Sequence, residues 1–388
     1  MVSSLLKRRQ NRALLLQALR KREPVSRKTL HDLTHIRPNT VSMLVQQLLR
    51  DGIITEMGPK NGSAARGRRE VLLALNDKTV VLGAEITAHR VTVGRVDFRG
   101  RLLSMTERPI RRGTRREVLS LLEEAVRIEM TGGAARGLGI SVPGIVSREK
   151  GTAVQAANLK DWKHVPLRRW ASQTFGLRAV VDNLTNARLY ALRLFGGLGD
   201  EESFALVLLE EGEIGCGIVA EGRIVRGSVQ SSSELGHSKV GLDGELCSCG
   251  GRGCLESYTR LGYLQKRWLE HLGKGRRREA PAELSKLLED DNAASRKLAE
   301  ELGAVLGLGL SNLVQLVKPR RLVLAGELVK FRRFLMPAML ASLERHSLPV
   351  FWRELKIEFG KMSHEGGAIG AACLALDEYY SAPMVAEL

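Results

Sequence analysis

The chain has 388 residues, of which 44% are hydrophobic and 4% aromatic. This length indicates two or three domains, with cores built mainly from aliphatic side chains. The formal net charge is +17 and is unevenly distributed, because residues 1–75 hold 15 Lys and Arg against 5 Asp and Glu. Such a concentration is typical of a polyanion-binding module, and a basic surface that contacts only solvent is the alternative.

Three classes of protein are disfavoured. The longest apolar run, residues 302–317, is 16 residues long and contains Ser311, Asn312 and Gln315, so it predicts a buried helix and no membrane span. Lys and Arg interrupt the apolar residues of the N-terminal segment, which does not fit a signal peptide. Five cysteines in a chain of this length do not make a disulfide scaffold. Because no secretion signal is predicted either, we expect a cytoplasmic protein.

The N-terminal segment predicts a helix-turn-helix. Apolar residues recur at helical spacing over residues 5–22, Ser26 is a predicted N-cap of a second helix, and residues 39–52 predict a third helix that Gly52 ends. Two short helices joined by a tight turn, the second polar at its start, are typical of this motif. We expect the first turn of the third helix to face the DNA major groove through Asn39, Thr40 and Ser42.

A wing follows these helices. Residues 53–58 and 70–75 predict two strands joined by a turn-rich loop. The basic side chains at its tip, which can neutralise phosphates or enter a minor groove, are Lys60, Arg66, Arg68 and Arg69. The alternative is a helical protein-interaction module, but charge, helix spacing and wing together favour winged-helix DNA binding.

Three cysteines and one histidine have the spacing of a metal site. His237 is followed by Cys247, Cys249 and Cys254, and a set of three thiolates and one imidazole is a signature of structural zinc. Glycines that let this loop turn tightly stand at positions 250, 251 and 253. The alternative is a group of scattered thiols without a metal, and a reducing compartment disfavours disulfides.

The segment ELGHSKV…CSCGGRGCLES closely resembles the E-x-G-H…C-x-C-G-x-x-G-C-x-E signature of the ROK (repressor, open reading frame, kinase) family. Further segments that resemble the family are residues 140–147, 156–167 and 180–196, so the resemblance covers nearly the whole chain. The N-terminal winged helix matches the repressor branch of this family. The sequence also predicts strands that alternate with helical stretches, which indicates an α/β fold independently of this resemblance.

The resemblance implies an α/β fold: a winged helix-turn-helix followed by two lobes of the actin-like ATPase fold. We expect the DNA-binding domain over residues 1–76, the first lobe over 77–190, and the second lobe with the zinc loop over 191–388. The C-terminal helix is expected to return to the first lobe.

In the family's kinases, amides, carboxylates and the zinc-loop histidine hold the hydroxyls of the sugar. These residue types suit a sugar, because each hydroxyl both donates and accepts hydrogen bonds. The matching positions in this sequence are Asn158, Asn183, Glu234, His237 and Glu256. A sixth position, the kinases' general base, is an aspartate in the family and Leu184 here. Leucine cannot accept a proton, and the loss of a general base typically costs about 10²- to 10⁴-fold in rate.

The nucleotide motifs also depart from the kinase pattern. The first phosphate segment has Glu85 in place of aspartate, and Thr87 and Ala88 in place of its glycines. Residues 215–219 read GCGIV and residues 325–328 read AGEL, where the kinases have glycine-rich nucleotide loops. We therefore expect no productive ATP binding and no catalytic residue.

Together these features predict a cytoplasmic transcriptional regulator of the repressor type. It would bind a double-stranded DNA operator as a homodimer or homotetramer, carry structural Zn²⁺, and respond to a sugar in a degenerate kinase cleft. One alternative is a regulator controlled by a protein partner. The other is an active ATP-dependent sugar kinase with a DNA-binding appendage, which Leu184 and the altered phosphate segments oppose.

Overall fold

The computed structural model describes residues 2–59, 70–156, 159–199, 201–227, 233–273, 279–290, 292–360 and 364–381. The chain forms two compact units, Met1–Gly199 with His364–Leu388, and Asp200–Ser363. Each unit is built on its own five-stranded sheet. Among the helices of the described ranges, none is long and apolar enough to cross a membrane.

The N-terminal part of the first unit contains three helices and a three-stranded sheet of order β1-β3-β2. Its elements are α1 (Val2–Arg22), β1 (Val25–Ser26), α2 (Arg27–Thr34), α3 (Pro38–Arg50), β2 (Ile54–Pro59) and β3 (Val71–Leu75). The Ser26 hydroxyl accepts a hydrogen bond from the N–H of Thr29 at 3.2 Å, which confirms the predicted cap of α2. The antiparallel β2–β3 hairpin confirms the wing and with it the winged helix.

The third helix begins at Pro38, one residue before the predicted start. Proline fits the first helical position, because its backbone angle φ already suits a helix and no hydrogen bond needs its missing N–H. The buried face of α3 carries Val41, Leu44, Val45 and Leu48. Packing of this face directs the opposite face of the helix to solvent.

The rest of the first unit is a mixed sheet flanked by helices. Its elements up to Gly199 are β4 (Val80–Ile86), β5 (Arg90–Asp97), β6 (Leu102–Pro109), α4 (Arg115–Met130), β7 (Ala135–Val142), β8 (Ile145–Ser147), β9 (Thr152–Gln155), β10 (Lys163–Val165), α5 (Leu167–Phe175), β11 (Ala179–Asn183) and α6 (Leu184–Leu194). The main sheet has the order β11-β7-β4-β5-β6, and β8 to β10 form a smaller sheet. The predicted lobe boundary after residue 190 falls inside α6, and the compact unit extends to Gly199.

The second unit has a sheet of the same pattern. Its elements are β12 (Phe204–Glu210), β13 (Glu213–Ala220), β14 (Arg223–Ile224), α7 (Leu261–Leu272), α8 (Leu284–Leu288), α9 (Ala293–Val317), β15 (Arg321–Ala325), α10 (Arg332–His346), α11 (Pro349–Trp352) and β16 (Lys356–Phe359). Its order is β14-β13-β12-β15-β16. In both sheets the first three strands are antiparallel and the last two join in parallel, as expected for the two lobes of an actin-like fold.

The last helix, α12 (His364–Tyr380), belongs to the first unit and packs against β4, β7 and α6. Its approach to the sheet is very close. A Cβ atom at Gly83 would lie 2.0 Å from the carbonyl oxygen of Ala368, and one at Gly139 would lie 1.7 Å from that of Ala371. These two glycines therefore allow the helix to rest directly on the sheet.

The winged helix shares its hydrophobic core with α12 and with two residues of the main sheet, Val81 in β4 and Val96 in β5. Tyr380, in the last turn of α12, is fully buried, and its hydroxyl donates to the carbonyl of Phe98 at 2.5 Å. From α1, the Gln17 amide donates to the Tyr380 carbonyl, and the Arg20 guanidinium lies 5.3 Å from the centre of the Tyr380 ring. The winged helix is thus packed onto the rest of the first unit.

Candidate functional site

Four potential metal ligands lie together in the second unit. The ligand atoms of His237, Cys247, Cys249 and Cys254 all lie within 4.8 Å of one another. The Sγ atoms of Cys249 and Cys254 are 3.7 Å apart, and Cys247 Sγ lies 3.6 Å from His237 Nδ1. A tetrahedral zinc with Zn–S bonds of about 2.3 Å has ligands about 3.8 Å apart. The donor set and its spacing therefore fit a tetrahedral cation.

Backbone geometry closes the loop that carries the cysteines. The N–H of Cys247 donates to the carbonyl of Gly251 at 2.8 Å, and Gly253 has a φ of +69°. A Cβ atom at Gly253 would lie 1.6 Å from the carbonyl oxygen of Gly241. Only glycine meets both demands, the left-handed conformation and the close approach of another backbone segment.

The thiols of the cluster differ in how readily they ionise. A backbone N–H of Gly251 lowers the pKa of Cys249 to about 7, whereas burial raises the pKa of Cys247 to about 12. The Cys247 thiol donates to Glu256 Oε1 at 3.2 Å. The thiolate is the form that binds a metal, so Cys247 must lose this proton when a cation binds.

Three of the predicted sugar ligands lie at or beside this cluster. Glu234 directly precedes the short 3₁₀ turn Leu235–His237, which ends with His237, and Glu256 lies in a second turn, Leu255–Thr259. Desolvation by surrounding protein atoms raises the pKa of Glu234 above its usual value. Glu256 is buried, and its Oε1 lies 3.6 Å from His237 Nδ1. The Glu256 carboxylate thus lies beside the histidine, and that of Glu234 interacts with the histidine electrostatically.

The other predicted sugar ligands belong to the first unit. Asn183 caps α6: its side-chain oxygen accepts from the N–H of Thr185 at 2.8 Å, and its amide donates to the carbonyl of Gly144 at 2.7 Å. One amide hydrogen and part of the carbonyl oxygen's capacity remain for a ligand. Asn158 lies outside the described residues.

A buried carboxylate to which the sequence analysis gave no role lies next to Asn183. Asp182 is fully buried and accepts hydrogen bonds from the N–H of Asn183 at 2.8 Å and from the side-chain amide of Asn186 at 3.0 Å. It fixes the turn from which Asn183 projects. Its place directly before the amide in the sequence DNLTN was the available signal.

The position of the kinases' general base is the first residue of α6, where Leu184 is half-buried. Glu85, which replaces the aspartate of the first phosphate segment, is also withdrawn from solvent. Its side chain is 1% exposed, and its Oε1 pairs with Arg188 at 2.8 Å. A Cβ atom at Gly367 would lie 2.0 Å from its other oxygen, so the first turns of α12 cover the carboxylate.

The two remaining nucleotide segments fall in the second unit. Residues 215–219 lie within β13, where they pair with β12 as regular strand. Gly326 has a φ of +108°, and a Cβ atom there would lie 2.4 Å from the carbonyl oxygen of Leu209. Position 326 therefore requires glycine, because the backbone of β12 passes too close for any side chain there.

The predicted DNA-contacting residues of α3 lie on the face away from the core. Asn39 and Ser42 are exposed and Thr40 is half-buried. Gln46, also exposed, lies on the same face by the helical period, although the sequence analysis did not single it out. Arg37, the exposed residue directly before the helix, is its cap position. The predicted wing contacts Lys60, Arg66, Arg68 and Arg69 lie outside the described residues.

Comparison with known proteins gives the family. The ROK family profile matches residues 81–378. The xylose repressor of Caldicellulosiruptor bescii is 26% identical, over 96% of this chain and 97% of that protein. The DNA-binding transcriptional dual regulator NagC of Escherichia coli K12 is 24% identical, over 94% of this chain and 91% of that protein.

A solved structure supports the fold over the whole length. The crystal structure of a ROK family transcriptional regulator, a homologue of the E. coli MLC protein, aligns with a TM-score of 0.84 and 22% identity. The alignment covers 97% of this chain and 98% of that one. The N-terminal winged helix is therefore included in the similarity. With the family profile matching most of the sequence, the chain belongs to the ROK family.

Proposed function

We propose that this protein is a transcriptional repressor that binds operator DNA through its winged helix and responds to a sugar or sugar derivative. The observation that carries the proposal is the joining of a winged helix to a ROK domain in one chain that aligns over 96% of its length with a xylose repressor. The excess of positive charge in residues 1–75 supports DNA as the partner of the N-terminal module.

Base recognition is assigned to the exposed face of α3. An α-helix fits the major groove, and short polar side chains on its first turn can reach base edges. The residues proposed to contact bases are Asn39, Thr40 and Ser42. Those proposed to neutralise phosphates, through the wing, are Lys60, Arg66, Arg68 and Arg69.

The effector class follows from the polar ligands and from the relatives. One relative is named for xylose, and amide and carboxylate groups suit a polyhydroxyl ligand. The proposed sugar-binding residues are Asn158, Asn183, Glu234, His237 and Glu256. With His237 Nδ1 turned toward the cysteines, Nε2 is the ring atom that remains for a sugar hydroxyl.

We propose that the ROK domain does not phosphorylate this sugar. Leu184 cannot act as a general base. The Glu85 carboxylate is paired with Arg188 and covered by α12, so it is withdrawn from any ligand. The names of the relatives, which are regulators, agree with this proposal.

Zinc is the proposed occupant of the cluster of His237, Cys247, Cys249 and Cys254, because soft thiolates with one imidazole in tetrahedral spacing favour it. When bound, this ion supplies structural cross-linking of the loop. Glu256 follows the last of these cysteines by two residues. A loop held by the metal would therefore fix the positions of His237 and Glu256 for contact with the sugar.

The contacts of α12 suggest how the effector changes DNA binding. The winged helix shares its core with α12 and the lobe, so a displacement of α12 also displaces α3. In a homodimer or homotetramer, which we propose as the active form, such a displacement changes the distance between two recognition helices. Operator half-sites have a fixed spacing, so the affinity falls.

The test begins with selection of duplexes from random DNA by the full chain. We expect a preferred sequence that binds at least about 10³-fold more tightly than random DNA. Thermal shift and fluorescence anisotropy are then measured with neutral sugars, amino sugars, phosphosugars and ATP. We expect one sugar class to raise the melting temperature by linkage and to weaken operator binding, while ATP has no effect.

Each other outcome contradicts a stated part of the proposal. DNA binding without sequence preference would overturn the repressor. Specific DNA binding that no sugar alters would favour a protein effector in place of a sugar. Transfer of phosphate from ATP to a sugar would restore the kinase interpretation.

A further inference from the structure

A lysine lies against the cysteine cluster. The backbone of Lys239 forms an antiparallel bridge with Cys254, and its ammonium Nζ lies 3.0 Å from Cys254 Sγ. Across the described ranges, no carboxylate lies within ion-pair distance of this ammonium. The thiol sulfur is therefore its polar partner within that part of the chain.

The loop leaves room for this lysine. A Cβ atom at Gly251 would lie 2.7 Å from Lys239 Nζ, 3.5 Å from Cys249 Sγ and 3.9 Å from Cys254 Sγ. The ammonium thus occupies space that any other residue at position 251 would fill. The absence of a side chain at position 251 therefore keeps open the space in which the ammonium contacts Cys254 Sγ.

The charge of the cluster gives the lysine a role. Three thiolates and one neutral imidazole around a divalent cation carry a formal net charge of about −1. An ammonium that donates a hydrogen bond to a thiolate offsets this charge and makes the sulfur less reactive. A partner that orients and tunes a metal ligand in this way typically changes metal affinity about 10- to 100-fold.

We propose that Lys239 is a positioning residue of the metal centre, whose ammonium bonds the Cys254 thiolate and retains the bound metal. This inference rests on the proposed zinc site. It extends that site beyond its four ligands to a fifth side chain, which no ligand-spacing rule identifies.

The experiment compares four full-length proteins: wild type, Lys239→Met, Lys239→Arg and Lys266→Met. Lys239 is exposed, so methionine is expected to be tolerated. Lys266 is a surface lysine that pairs with Glu245 at 3.0 Å, and its replacement removes the same charge without removing a hydrogen bond to a sulfur. Zinc affinity is measured by competition with a chromophoric chelator, and the reactivity of the zinc-loaded cysteines by their alkylation with iodoacetamide.

We expect Lys239→Met to weaken zinc binding about 10- to 100-fold and to accelerate alkylation. Lys239→Arg, which keeps a charged donor, should retain most of the affinity, and Lys266→Met should match wild type. Wild-type affinity and alkylation rate in Lys239→Met would overturn the inference. A wild-type protein that binds no stoichiometric zinc would instead overturn the proposed metal centre itself.

Discussion

The guanidinium of Arg148 lies 3.1 Å from the carboxylate of Asp182 and also reaches Asp377 in α12, at 3.6 Å. Asp182 is fully buried and holds the backbone N–H of Asn183. One side chain therefore connects the strand end that carries a proposed sugar ligand with the helix on which the DNA-binding module is packed.

This connection predicts a variant with an altered response to the sugar. Lysine at position 148 keeps the positive charge, but its single ammonium lacks the planar fork that reaches two carboxylates. We expect Arg148→Lys to bind operator and sugar nearly as wild type does. The sugar-induced loss of operator affinity should shrink, since couplings between sites are typically about 1–3 kcal/mol and depend on the element that links them.

The measurement is operator anisotropy with and without saturating sugar. The matched control is Arg127→Lys, because Arg127 pairs with Glu123 on the exposed side of α4, away from this connection. A full sugar response in Arg148→Lys would show that the signal does not depend on this bridge.

Substitutions on the exposed face of α3 should weaken specific DNA binding. A good bidentate contact to a base contributes about 1–3 kcal/mol, so Asn39→Ala should weaken binding of the selected operator about 5- to 150-fold. Ser42→Ala should have a smaller effect in the same direction. Binding of random DNA should change little, because phosphate contacts dominate it.

Ser120→Ala is the control for Ser42→Ala, since Ser120 is an exposed serine on α4. Competition titrations against random duplex DNA separate specific from non-specific affinity. Equal weakening of both by Asn39→Ala would mean that this residue contacts the backbone or supports the fold.

The wing arginines predict a change in salt dependence. Each neutralised phosphate contributes about 0.9 to the slope of log K against log salt. Replacing Arg66, Arg68 and Arg69 with alanine should therefore reduce the magnitude of this slope by up to about 3 if each arginine contacts one phosphate. The slope is measured from anisotropy titrations over a range of KCl concentrations.

A triple variant of equal charge change serves as the control. Arg111, Arg112 and Arg116 are exposed near the start of α4, and alanines there should leave the slope close to that of wild type. If both triple variants lower the slope equally, net charge and not the wing accounts for it.

Local features were predictable from the sequence because neighbouring residues determine them. The Ser26 cap depends on a serine three residues before the donor N–H. The thiols of Cys247, Cys249 and Cys254 lie within eight residues, so the chain itself keeps them close together. The resemblance to the ROK family supplied the two-lobed architecture, which no local pattern specifies. The strand order of each sheet comes from the structure.

Contacts between distant segments were not predictable in the same way. The pair of Glu85 and Arg188 joins residues 103 positions apart, and the bridge from Arg148 to Asp377 needs the return of α12 to the first unit. Each arginine could equally be a surface residue as far as its neighbours in the sequence indicate. Lys239 likewise reads as a surface lysine until the loop closes.

The first position of α6 predicts a change in sugar preference. Leu184 follows the cap residue Asn183, so an aspartate at position 184 would sit at the helix N-terminus, where the helix dipole stabilises a carboxylate by about 0.3–1 kcal/mol. We expect Leu184→Asp to fold, to change the relative affinities for pentoses and hexoses, and to remain unable to transfer phosphate from ATP. Restoring one acceptor does not restore the altered phosphate segments or free the Glu85 carboxylate from Arg188.

Thermal shift over the sugar panel measures the preference, and a coupled assay for ADP release measures phosphate transfer. Leu184→Asn is the matched control, because it has nearly the size of aspartate without the charge and separates the effect of an added acceptor from that of a negative charge. Unchanged affinity for every sugar in Leu184→Asp would place the ligand away from α6. ADP release that depends on sugar in the aspartate variant and not in the asparagine variant would mean that the nucleotide site is intact and that Leu184 alone had silenced a kinase.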